Sequence, residues 1–300
     1  MMKRPPASPG GLVIVDKPQG LTSHDVVARI RRMAGTSRVG HAGTLDPMAT
    51  GVLVVGVERA TRMLTYLVGA DKEYEATIRL GVGTVTDDRD GSVTWRPGAQ
   101  GLAAEAIETV MAGLRGTISQ VPSAVSAVKV DGRRAYDRVR SGENVVLKAR
   151  EITVKRFDVV DRDDTVDDET PVIDLSVSVV CSSGTYVRAL ARDLGSALGT
   201  AGHLTELRRI RVGPYHVQTA RELDDLAEAF AVLPIADAAR AAFPARELSA
   251  DEARRLAHGQ RLDASEQGPG PIAAFAPDGS LVALVCDAGL TARPLVVLAG

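Results

Sequence analysis

The sequence predicts an α+β protein with a mixed sheet and a small β-rich C-terminal module, on three observations. Strand-like and helix-like stretches are interleaved without the strict alternation of a parallel α/β fold. Two clear β runs, 151–160 and 171–186, follow one another with only an acidic stretch between them. Near 235–247 a Pro-containing, Ala-rich stretch reads as a boundary, and short strands joined by a Pro-Asp-Gly turn lie beyond it.

Taken in order, GLVIVDKPQG (11–20) reads as a short buried strand ending in a Pro-Gly turn that presents Lys17. TSHDVVARIRRMAG follows as a helix, capped by Ser23, with Val26, Val27, Ile30 and Met33 as its apolar stripe and Gly35 as its stop. Arg29, Arg31 and Arg32 fall in its last turns, where a cation suits the negative end of the helix dipole. YEATIRLGVGT (74–84) alternates as a strand, and 84–98 reads as a loop or hairpin. Residues 102–116 form an amphipathic helix with Ile107, Val110, Met111 and Leu114 inward. The acidic DRDDTVDDET (161–170) is expected to be the loop between the two β runs, followed by a helix at 186–199 and an extended, basic and apolar stretch at 203–215. Past the boundary, Ser249 and Glu252 make a capping box for a helix ending at Gly259.

A chain of 300 residues with 45% apolar and 25% charged residues is of ordinary globular composition, and only 3% are aromatic. Cys181 and Cys286 sit far apart in apolar runs, which implies buried free thiols rather than a disulfide framework or metal site. No apolar run approaches the roughly 20 residues of a membrane span, and no signal-peptide pattern follows the basic N-terminus, so the expected location is cytoplasmic. The formal net charge is −2, but it is unevenly spread. Residues 1–62 carry nine Lys/Arg against four acids, and 129–156 repeat that balance, whereas 161–170 hold six acids and one Arg. Two basic segments in a chain of negative total make a phosphate-facing side possible.

The segment GHAGTLDPMATGVL (40–53) poses the functional question. Asp46 sits in a glycine-rich loop before an apolar run, Val52 to Val55. An Asx-type turn or a helix cap would use such a residue structurally. A carboxylate delivered to the end of a buried strand, however, costs several kcal/mol if unpaired, so Asp46 needs a basic partner or a task.

GHAGTLDPMATGVLVVGVERATR resembles the catalytic motif of the bacterial tRNA pseudouridine-55 synthases, the TruB family. VDKPQGLTSHDVV (15–27), KEYEATIRLGVGTVTDD (72–88), CSSGTYVRALARDLG (181–195) and HLTELRRIRVGPY (203–215) resemble the family's other four landmarks, in order. The similarity covers about residues 10 to 220, and the rest loosely resembles a PUA-type RNA-binding module. The resemblance implies a pseudouridine synthase catalytic domain over 1–240, with a mixed, largely antiparallel sheet flanked by helices, and a PUA-like RNA-binding domain over 241–300. It further implies isomerisation of uridine to pseudouridine in the TΨC arm of tRNA. Neither metal, nucleotide nor redox cofactor is required, and no membrane or obligate protein partner is implied for what reads as a monomer. No P-loop, dinucleotide fingerprint or metal-ligand cluster is present in the sequence.

By the same resemblance, Asp46 matches the nucleophile, acting at the ribose C1′ or the uracil C6. Arg188 matches the arginine that pairs with it and lowers its pKa, and Tyr186 shares the GTYVR motif. Tyr74 matches the ring stacked on the target base, and also a candidate proton acceptor. Leu207 matches an apolar wall, and His41 a residue holding the target nucleotide out of its stack. Lys17, Arg29, Arg31, Arg38, Arg208, Arg209 and Arg211 are candidate phosphate contacts, with Lys17 and Arg208 foremost. Two rival readings are a non-catalytic RNA-binding or RNA-folding protein on the same scaffold, and a metal-assisted phosphate-ester hydrolase. The hydrolase would want acidic metal ligands, and no second acid lies between Gly40 and Val57.

Overall fold

The structure, a computed structural model, describes residues 10–123, 129–130, 133–134, 147–265 and 267–299. Lys3 and Arg4 of the first basic segment, and residues 131–132 and 135–146 of the second, lie outside the described residues. The chain forms two compact units: 1–47 with 51–70 and 212–300, and 71–211 with 48–50.

In the first unit Gly11–Lys17 pairs antiparallel with Thr50–Val57 on one edge and with Leu233–Pro234 on the other. The strand Val39–His41 also pairs with Thr50–Val57. Gly11–Lys17 and Thr50–Val57 are buried almost throughout, as near-continuous Val/Leu/Ile runs should be. A five-stranded sheet follows in the order 245–247, 272–275, 281–288, 291–297, 262–263, with Ala245–Glu247 parallel to Ile272–Phe275 and the other pairs antiparallel. One apolar core joins Leu12, Ile14, Val52 and Val54 to Phe275, Leu281, Leu284 and Leu298. The N-terminal strands and the C-terminal sheet thus share a core. A second, smaller cluster, including Leu248, Leu256 and Val285, fills the C-terminal sheet's other face.

The second unit is built on strands ordered Gly202–Val212, Lys72–Leu80, Thr170–Cys181, Arg150–Asp167 and Gly116–Gln120. The last four pair antiparallel. Lys72–Leu80 alternates buried and less buried residues, the period of a strand with one face inward. The helices Ala104–Gly113 and Val187–Ala197 flank this sheet. The second comes very close to the strand that follows it: a Cβ at Gly202 would lie 2.3 Å from Ala191 O, so only glycine fits there. The chain is α+β with mixed, largely antiparallel pairing and a β-rich C-terminal domain. Among the described residues, no helix is long and apolar enough to cross a membrane.

Three expectations are corrected here. The acidic stretch is strand, not loop: Asp161, Arg162, Asp163 and Asp164 pair with Ser176, Leu175, Asp174 and Ile173. Only Asp168 and Glu169, at φ 48° and 64°, make the turn, a two-residue connection with both centres left-handed. The partner strand's buried alternation through Ile173, Leu175 and Val177 sets the pairing, and Asp161, Asp163 and Asp164 face water. The stretch read as a boundary is not irregular chain: Ile235–Ala242 is a helix whose Ala238 and Ala239 are fully buried. Alanine is the best helix former, and its small side chain lets the Tyr215 hydroxyl reach Ala238 O at 2.9 Å. Ser23 is not the cap of the first helix. Thr22 is, forming a capping box with Asp25, whose carboxyl the Thr22 hydroxyl holds below its ordinary range. Gly35 ends that helix in the left-handed conformation, as expected.

Candidate active site

Asp46 lies in the loop between Val39–His41 and Thr50–Val57, half-buried, with its neighbours Ala42 and Leu45 buried. The backbone on each side of it is pinned. Ser23 Oγ donates to Leu45 O at 3.1 Å and accepts from Leu45 N at 2.9 Å. On the other side, Pro47 O accepts from Gly20 N at 2.8 Å and from Lys17 Nζ at 3.4 Å. Gly43 at φ 98° turns the chain in a region that a side chain would strain. The loop therefore presents the carboxylate from a clamped backbone.

Lys17 is corrected as a phosphate contact. It is fully buried, and its ammonium also donates to Pro18 O at 2.9 Å and Leu21 O at 2.7 Å. A desolvated ammonium needs such acceptors, and here they tie the turn after Gly11–Lys17 to the residue following Asp46. His41 is half-buried and meets His24 edge-on, ring centroids 5.7 Å apart at 80°.

In the second unit Tyr74 is buried on Lys72–Leu80, opposite Val179. Two positions away, Lys72 is buried opposite Cys181. Burial, then Arg209, lowers its pKa to about 8, and burial pushes the Cys181 thiol up to about 11. Leu207 is buried on Gly202–Val212. The half-buried Arg208 donates to Thr50 Oγ1 at 3.2 Å. Arg209 is 1% exposed, which corrects it as a phosphate contact: strand alternation turned that position inward. Arg211 pairs with Glu73 at 2.9 Å, Arg38 with Glu58 at 3.4 Å, and Arg31 donates to Val39 O at 3.1 Å.

Arg188 is the second residue of Val187–Ala197 and is 4% exposed. It donates to Thr86 O at 2.7 Å and forms an ion pair with Asp88 at 3.2 Å. One turn along, Arg192 pairs with Asp87 at 3.2 Å, and burial raises the Asp87 pKa. Tyr186 caps the helix, and its backbone N–H and C=O both bond the amide of buried Gln120, at 2.9 and 3.1 Å. Asp88 and Gln120 escaped sequence reasoning. The signal for Asp88 was the doublet Asp87-Asp88 set against Arg188 and Arg192, four residues apart on one helix face. Among the described residues, no group of three or more His, Cys, Asp or Glu could hold a metal ion.

Comparison with known proteins places this architecture. Residues 31–187 match the TruB family pseudouridylate synthase N-terminal domain. Residues 188–240 match the tRNA pseudouridylate synthase B C-terminal domain, and 243–299 the tRNA pseudouridine synthase II C-terminal domain. The chain is 59% identical to tRNA pseudouridine synthase B of Arthrobacter sp. (strain FB24), covering 96% of each chain. It is 57% identical to the enzyme of that name in Thermobifida fusca (strain YX), over 97% of this chain and 99% of the other. A solved H/ACA RNP, bound to a substrate RNA containing 2′-deoxyuridine, contains a similar chain: TM-score 0.71, 26% identity, 97% of this chain and 85% of that one. Fold and motifs together define a pseudouridine synthase. The chain belongs to the TruB family of pseudouridylate synthases.

Proposed function

We propose that this enzyme converts uridine 55 to pseudouridine in the TΨC arm of tRNA, with Asp46 as the nucleophile. The relatives' common name, tRNA pseudouridine synthase B, supports the substrate class. The single observation that carries the mechanism is the clamp on both neighbours of Asp46, because covalent catalysis needs a carboxylate held at one position.

The target uridine leaves its stack, at a cost of a few kcal/mol offset by stacking on Tyr74 and by contacts to the RNA backbone. The Asp46 carboxylate attacks the ribose C1′ or the uracil C6. The N1–C1′ bond breaks, the base turns, and C5 bonds to C1′. C5 then loses its proton, N1 gains one, and the carboxylate is released unchanged. The same atoms leave and return, so the isomerisation calls for no cofactor. Arg188 is assigned to keeping Asp46 ionised, and Asp88 and Thr86 hold that guanidinium in place. Leu207 walls the base, His41 holds the extruded nucleotide, Tyr186 starts the helix that carries Arg188, and Arg208 is retained as a phosphate contact. We assign residues 1–240 to the catalytic domain and 241–300 to an RNA-binding, PUA-like one, and the protein to the cytoplasm as a monomer without an obligate protein partner.

Pseudouridine mapping by mass spectrometry, on unmodified tRNA incubated with the pure protein alone, tests the reading. Modification is expected at position 55 and none with Asp46→Asn; turnover by Asp46→Asn would overturn the nucleophile.

A further inference from the structure

A cavity of about 390 Å³ lies within the 71–211 unit, walled by Arg79, Thr84, Arg89, Arg96, Asp167 and His203 among others. Three guanidiniums face one carboxylate in this wall. Arg79 is held by Asp174 through two bonds of 2.8 and 2.7 Å, and by Asp167 at 3.0 Å. Arg96 is held by Asp167 at 2.7 Å. These acids fix two of the cations without covering the third. Arg89 is exposed, with one long bond to Thr205 O at 3.4 Å, and no carboxylate among the described residues pairs with it. His203 Nδ1 lies 2.8 Å from Val82 O, so Nδ1 carries the proton; burial, then Arg79, lowers the ring's pKa. Asp168 also reaches Arg96, at 3.6 Å, so the wall is polar and cationic, with Arg89 as the guanidinium that no carboxylate among the described residues holds.

The loop that carries Arg89 is stiff. Thr84 Oγ1 donates to Asp88 O at 2.8 Å, Asp90 N to Asp88 Oδ1 at 3.1 Å, and Val85 N to Ser92 O at 3.0 Å. Its other side holds Arg188, through Thr86 O and the Asp88 carboxylate. An anion seated at Arg89 would therefore rest on the segment that fixes the catalytic arginine, one residue from its ion-pair partner.

We propose that this cavity is a subsite for one backbone phosphate of the substrate RNA, with Arg89 as its principal ligand and Arg96 beside it. The subsite rests on the tRNA reading above. Arginine suits it because its planar fork binds phosphate oxygens in pairs. An RNA backbone suits it because the cation that lacks a carboxylate is the exposed one, where a chain can pass without being enclosed.

The test uses the full-length protein with Arg89→Glu and Arg89→Lys, measuring affinity for unmodified tRNA across a potassium chloride series. Arg89→Glu is expected to weaken binding several-fold at low salt and to flatten log K against log salt by about 0.7–0.9, one phosphate contact. Arg89→Lys is expected to keep the wild-type slope. An unchanged slope in Arg89→Glu overturns the subsite. Binding of inorganic phosphate or AMP that is abolished by Arg89→Glu, with the tRNA slope unchanged, makes this a small-molecule site and also overturns it. Failure of the parent reading is seen separately, as wild-type protein that forms no pseudouridine in tRNA.

Discussion

Ser23 and Leu45, 22 residues apart in sequence, are joined by a two-way clasp: one hydroxyl donates to the Leu45 carbonyl and accepts from the Leu45 amide. The hydroxyl is buried, so no water replaces it easily. Ser23→Ala would leave a backbone donor and acceptor unmatched next to Asp46, the proposed nucleophile, at a cost of about 1–3 kcal/mol. The expected outcome is a kcat for pseudouridine formation lowered at least tenfold, with tRNA affinity within a few-fold of wild type. Equal kcat in a folded Ser23→Ala protein would show that the clasp does not position Asp46.

Lys17→Met separates holding the fold from holding RNA. The ammonium serves backbone carbonyls, so its loss should lower the melting temperature by several degrees, in line with about 2–4 °C per kcal/mol for a chain of this size. The salt dependence of tRNA binding should not change. A slope flattened by a whole phosphate contact would return Lys17 to the RNA-facing side.

Asp88→Asn keeps the side chain's shape and removes the charge beside Arg188. Breaking a buried pair by neutralising one partner leaves the other charge uncompensated. Single-turnover rate at saturating tRNA is expected to fall by about tenfold or more, with binding little altered. A double-mutant cycle with Arg188→Gln checks the coupling; additive effects would deny it.

His203 supplies a pH dependence of stability. Burial, then Arg79, holds its folded pKa below the ordinary 6.5. As pH falls through about 6.5, the unfolded chain's imidazole takes a proton that folded His203 resists, so the unfolded state binds more protons and stability drops. The contribution is present above pH 6.5 and lost on acidification. Denaturant melts between pH 7.5 and 5.5 should show a shallower decline in His203→Gln than in wild type. Parallel declines would mean that His203 does not titrate abnormally.

Phe275→Ala tests the shared core. The ring is fully buried among residues from both ends of the chain, with the Arg240 guanidinium 3.9 Å from its centroid. A loss of about 3–5 kcal/mol is expected, and removal of residues 248–300 should abolish cooperative melting of the N-terminal strands. A truncated protein that melts like the full chain would show the C-terminal sheet to be dispensable.

Most of the architecture was legible because local patterning carried it. Lys72–Leu80 alternates cleanly, the first helix ends at a glycine that the turn requires, and Ser249 and Glu252 form the capping box their spacing promised. What stayed hidden depended on distant partners. The acids of 161–167 look like loop until the apolar face of Thr170–Cys181 recruits them. Lys17 and Arg209 look like surface cations because residue type says nothing of carbonyls folded around an ammonium, or of a strand register that turns a guanidinium inward. Asp46 stood out because its own loop is unusual. Asp88, Arg188's partner, lies 100 positions earlier in the chain, and its acidic doublet has meaning only beside the distant Arg188 and Arg192.

The 71–211 unit is nearly continuous in sequence, whereas the unit holding Asp46 is completed by strands from far downstream. During synthesis, which proceeds from the N-terminus and folds domains as units, the two units mature in the reverse of their order of appearance. The stretch carrying Arg188 and Tyr74 can close as soon as its own strands have emerged. Leu12 and Val52 must wait for Phe275 and Leu284 before their core is sealed. The loop holding Asp46 is thus among the first parts made and among the last to gain its final support. The order in which the two units can be sealed is therefore opposite to the order in which their first residues are made.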